Sequence, residues 1–124
     1  MTIALLIATS LVVLVCIAHS YLGERYLLKR LFKRTDLPKV MGSSEFAANT
    51  LRFAWHITSI AWLGFAAVLA LLAFGSATPQ AISMVIGITF FLHGAVALIA
   101  SRGKHLSWIA FFAITLLVLY ASQA

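Results

Sequence analysis

Acid is the scarcest chemistry in this chain. Of 124 residues only three are Asp or Glu, against nine Lys or Arg. Those three, Glu24, Asp36 and Glu45, fall at or outside the ends of the long apolar runs, so no run is expected to carry a carboxylate at depth. Proton-coupled exporters usually need such a buried acid, which weighs against that class. The one cysteine, Cys16, lies inside an apolar run and can form no disulfide within the chain, which excludes intrachain thiol–disulfide cycling. Nor does it read as a lipidation site, because Val15 stands before it where a small residue is wanted. The start Met1-Thr2-Ile3 lacks the basic residues of a signal peptide, so the first run is expected to remain as a span. Also missing are the Gly-x-Ser-x-Gly elbow, His-Glu-x-x-His, the Walker loop and the Rossmann fingerprint. No other catalytic motif is recognisable, which points away from an enzyme.

What is abundant is apolar side chain. Hydrophobic residues make up 63% and charged residues 10%, where soluble domains average about 25% charged. A domain this small buries too little surface to hide so much hydrocarbon from water, so its solvent is expected to be lipid. The net charge of +6 does not point to nucleic acid. All nine cations lie in Arg25–Arg52 or Arg102–Lys104, beside two turns between apolar runs. That is the placement of cytoplasmic loops under the positive-inside rule, and it suits a bacterial inner membrane. The fold expected is an all-α, antiparallel four-transmembrane-helix bundle in one domain, with N and C termini on the outer side.

The spans are expected at about 2–22, 50–74, 79–100 and 106–120, each apolar enough to cross much or all of a bilayer core. Residues 24–34 are amphipathic. Leu27, Leu28, Leu31 and Phe32 oppose Arg25, Lys29, Arg30, Lys33 and Arg34, as in a segment lying against anionic lipid headgroups or in an anchor that continues the first helix. Thr35-Asp36-Leu37-Pro38 ends it. Ser43, with Glu45 in the first turn, reads as the cap of a helix running to Phe74, and Thr78-Pro79 opens the third. The short loop at Gly75–Thr78 makes the second and third helices antiparallel neighbours. Ser83 and Gly87 form a small-residue pair for close helix approach, and a homo-oligomer or a larger membrane partner is also expected.

The polar groups of this hydrocarbon-rich chain concentrate at one end. Glu45, Asn49, Arg52, His56 and Ser59 share one helical face at spacings of four, three, four and three. His19 and His56 each lie about 6 Å inside the basic boundary and His93 about 13 Å, from the helical rise. Ionisable groups at membrane depth are costly and mark a functional site by default. Two occupants suit this cluster: haem b, with His56 and His19 or His93 as axial ligands and Arg52 on a propionate, and a zinc-like ion held by His19, His56, His93 and Glu24. In the haem case Gly23, Gly64, Gly87 and Gly94 would make room for the macrocycle. Two alternatives remain open. One is a small-solute or proton transporter using the stripe. The other is an accessory or assembly subunit in which the polar residues are helix-packing glue.

Overall fold

The computed structural model describes residues 1–123, which are helical wherever the sequence is continuously apolar. In lipid a backbone must pair its own N–H and C=O groups, and a single segment can do so only as a helix. Helix α1 is a rod from Thr2–Leu31, α2 spans Ser44–Ala73, α3 Pro79–Ala100 and α4 Ser107–Gln123. The first three are long and apolar enough to cross a membrane. The fourth has 17 residues, about 25 Å at the helical rise. No strand occurs among the described residues.

The boundaries follow from local chemistry. Ser43 is extended and its hydroxyl accepts from Phe46 N at 3.1 Å, capping α2. Thr78 does the same for Ala81 N at 3.1 Å, with Pro79 as the first helical residue of α3. Gly75, at φ 68°, turns the chain between α2 and α3. Between α3 and α4, Ser101 donates to Ala97 O at 2.6 Å and accepts from His105 N at 3.1 Å, which tightens the basic turn. The amphipathic stretch keeps to the helical course of α1. It continues α1 through a π-helical turn, Gly23–Leu28, and a last α-turn to Leu31. Such turns recur at functional sites because the extra residue re-aims the side chains around it.

The helices pack in chain order. Cross-contacts run in opposite directions along each pair: Cys16 meets Ser59 and Glu24 meets Arg52, Ile57 meets His93 and Gly64 meets Thr89, Gly87 meets Leu119 and Gly94 meets Phe112. Each neighbour pair is therefore antiparallel. Among the described residues α4 makes no close backbone approach to α1, so the helices form an open row instead of a closed four-sided bundle. The buried residues are mostly small, Cys16, Ala47, Ala66, Ala73 and Ala97 among them. Large apolar side chains point outward on both ends of the row, as Ile3 and Leu116 do, which is the arrangement a lipid solvent favours.

The glycines serve this packing. A Cβ on Gly23 would collide with the Trp55 indole; one on Gly64, Gly87 or Gly94 would lie 2.6, 2.8 and 2.7 Å from Thr89, Leu119 and Phe112 respectively. The space expected for a macrocycle is filled by these side chains.

Candidate functional site: a hydrogen-bonded centre between α1 and α2

The site is built where the π-helical turn of α1 faces the turns of α2 that carry Arg52, His56 and Ser59. Glu24 sits in that turn, Ser20 lies four residues before it, and Arg52, His56 and Ser59 share the facing side of α2. Arg52 Nη2 lies 3.1 Å from Glu24 Oε1, and its Nε donates to Oε2 at 3.3 Å. The guanidinium also lies 4.9 Å from the centre of the Phe32 ring, so cation–π attraction helps hold it. His56 lies between the same carboxylate and a hydroxyl. Its Nε2 is 3.2 Å from Glu24 Oε2 and its Nδ1 is 3.0 Å from Ser20 Oγ. Ser20 Oγ is in turn 2.8 Å from Ser59 Oγ.

One proton arrangement fits these contacts with a single proton on His56. His56 Nε2–H donates to the Glu24 carboxylate, which can only accept. Nδ1 then accepts from the Ser20 hydroxyl, and the Ser59 hydroxyl is shared between Ser20 Oγ at 2.8 Å and Cys16 O at 3.3 Å. Deeper still, the Cys16 thiol donates to Ser59 O at 3.4 Å, and there the polar chain stops. On α1 beyond it, the Thr9 and Ser10 hydroxyls bond back to Leu5 O and Leu6 O of their own helix. Among the described residues these hydrogen-bonded groups gather at one end of the α1–α2 seam.

The site is open on one side. Side-chain exposure is 27% for Glu24, 31% for His56 and 43% for Arg52. A cleft of about 550 Å³ lies over it, lined by Ser20, Tyr21, Glu24, Arg25, Lys29 and His56. Arg25 donates to the Tyr21 hydroxyl and lies over the Tyr21 and Tyr26 rings. Among the described residues neither Arg25 nor Lys29 pairs with a carboxylate. The one carboxylate in the cleft is already matched by Arg52, so the surrounding charge is positive.

The other imidazoles go elsewhere. His19 stacks on Trp55, ring centres 4.4 Å apart and planes 3° from parallel. Its Nε2 donates to Trp55 O at 3.3 Å, and Trp55 Nε1 donates back to His19 O at 3.0 Å. This reciprocal pair closes the α1–α2 seam beside Gly23. His93 is buried, donates from Nε2 to Ile57 O at 3.2 Å, and packs against Phe90 and Phe111. It ties α3 to α2. Among the described residues no three His, Cys, Asp or Glu side chains come together to hold one ion. The zinc-like set of His19, His56, His93 and Glu24 is thus not gathered, and a haem would have to displace the hydrogen bonds that occupy both nitrogens of His56.

The stripe on α2 divides in the same way. Arg52, His56 and Ser59 face α1, whereas Glu45 and Asn49 line a small cleft with Ser101, Arg102 and Lys104 at the second basic turn. Ser20 is the residue that the sequence reading left out. Its signal was the repeat of one spacing on two helices: Ser20 to Glu24 on α1 and Arg52 to His56 on α2, each four apart and set head to tail. No family model matches the chain, and comparison with curated proteins and with solved structures finds no similar protein.

Proposed function

We propose that this chain spans a membrane four times and holds a phosphate-bearing anion in the cleft over Ser20, Glu24 and His56. The observation that carries the reading is the pair Arg25 and Lys29, which line the cleft without a carboxylate partner. Beside them the Ser20 and Tyr21 hydroxyls offer further donors. Guanidinium and ammonium groups are the common partners of phosphate oxygens, the first by its planar fork and the second as a point charge. In this reading both basic turns face the cytoplasm of a bacterial inner membrane and both termini face outward, as the placement of cations favours. The cleft then opens at headgroup level, where an anionic phospholipid presents its phosphate and juxtamembrane cations are drawn to it.

Native mass spectrometry of the detergent-solubilised protein tests this with three additions: phosphatidylglycerol, the matching diacylglycerol, and inorganic phosphate. Retention of phosphatidylglycerol over diacylglycerol, reduced at least tenfold in the Arg25→Ala/Lys29→Ala double variant, is the expected result. Binding of inorganic phosphate with no lipid retained would assign the cleft to a soluble phosphate. Equal retention of both lipids, or full retention by the double variant, would overturn the reading.

A further inference from the structure

The three side chains at the base of the cleft stand in the order of an activated nucleophile. A hydroxyl lies within hydrogen-bond reach of an imidazole, and the imidazole's other nitrogen is held by a carboxylate, which is the arrangement that makes serine reactive. The distances are 3.0 Å from Ser20 Oγ to His56 Nδ1 and 3.2 Å from His56 Nε2 to Glu24 Oε2. All three residues line the cleft. Resting on the phosphate reading above, we infer that Ser20 is a nucleophile that cleaves a carboxylic ester of the phosphate-bearing lipid held there.

The depths agree with that substrate. Ser20 lies about 7 Å closer to the membrane interior than Arg25, from the helical rise. In a glycerophospholipid the ester carbonyls sit on the tail side of the phosphate. With the phosphate against Arg25 and Lys29, an ester carbonyl reaches toward Ser20. Ser59 Oγ lies 2.8 Å from Ser20 Oγ and holds the nucleophilic oxygen in place beside His56.

The chemistry balances with water as the only co-reactant. Ser20 Oγ bonds to the ester carbonyl carbon as its proton passes to His56 Nδ1. The carbon–oxygen bond to the glycerol side breaks, and the departing alkoxide takes the proton from His56. Water then attacks the acyl-serine and gives its proton to His56 Nδ1. The acyl–Ser20 bond breaks, the serine oxygen recovers the proton, and a fatty acid leaves. Glu24 is a positioning residue throughout, holding Nε2–H so that Nδ1 faces the hydroxyl.

The test uses the whole purified chain and a fluorophosphonate probe, whose phosphorus is captured by activated serine with loss of fluoride. A single adduct mapped to Ser20 by tandem mass spectrometry in the unsubstituted protein is the expected result. No adduct, or an adduct on another residue, would overturn the inference without recourse to any variant. His56→Ala should slow labelling by about 100-fold or more, the usual scale of general-base catalysis; an unchanged rate would also overturn it. Glu24→Gln should change the pH profile of labelling, which a purely structural role would leave in place. Retention of phosphatidylglycerol without an adduct defeats the nucleophile and spares the phosphate reading. An adduct without lipid retention defeats the phosphate reading, and the assigned substrate with it.

Discussion

Substituting Gly23 by alanine should separate α1 from α2 at the edge of the site. The added Cβ would fall among three atoms of the Trp55 indole, so the ring must move or the helices must part. The ring is not free to move. It donates to His19 O at 3.0 Å and stacks on the His19 imidazole at 4.4 Å. Giving up a net hydrogen bond costs about 0.5–1.5 kcal/mol, and losing an aromatic stack costs about as much. The sum, roughly 1–3 kcal/mol, matches what overpacking costs elsewhere. Thermal unfolding in detergent micelles, followed by circular dichroism, should show the loss. The decisive control is the same substitution in a Trp55→Ala background. With the indole gone the three atoms nearest the Cβ are removed, and alanine should then gain up to about 1 kcal/mol over glycine from helix propensity. A Gly23→Ala variant as stable as the parent, or one that loses the same amount in both backgrounds, would refute the packing described here.

Other expectations follow from the same contacts. Ser43→Ala removes the hydroxyl that caps α2 at Phe46 N and should lower stability by about 1 kcal/mol, measured by the same unfolding. His93→Leu removes the bond to Ile57 O and should cost about 0.6–2 kcal/mol while leaving phosphatidylglycerol retention unchanged; loss of retention would place His93 in the site. In the loop after α1, Arg34 donates to both carboxylate oxygens of Asp36, at 2.8 and 2.6 Å, and holds its carboxyl below the usual carboxylate range. A lowered value favours the folded loop above the ordinary titration range and loses that preference as pH falls through the folded-state value. Carbon-13 titration of the Asp36 carboxyl should show a midpoint that rises toward about 3.9 in Arg34→Ala, and an unmoved midpoint would refute the pairing.

Much of the architecture could be read from the chain because its causes are local. Uninterrupted apolar runs in lipid have to be helices, and Ser43 and Thr78-Pro79 mark two starts by their own side-chain chemistry. The face joining Arg52, His56 and Ser59 was legible from spacing alone. What spacing could not give is the rotation of each helix about its axis. Helices that are apolar all round carry no strong amphipathic direction, so the sequence could not say which polar group meets which. His19 could as well have faced His56 as Trp55, and His93 could have reached the site in place of Ile57 O. The π-helical turn adds a second reason: it shifts register within α1 just where Glu24 is aimed, and the sequence Gly23-Glu24-Arg25 has no simple mark of it. The open row also lay beyond reach, since closure of four helices depends on crossing angles between pairs distant in sequence.

The most direct measurement is nitrogen-15 NMR of the histidine side chains, in detergent, with and without phosphatidylglycerol. The expected result is a His56 imidazole protonated on Nε2, with a shift on lipid addition that His93 does not share and that the Arg25→Ala/Lys29→Ala variant abolishes. A His56 signal that carries its proton on Nδ1, or one that stays fixed at saturating lipid, would contradict the site as described.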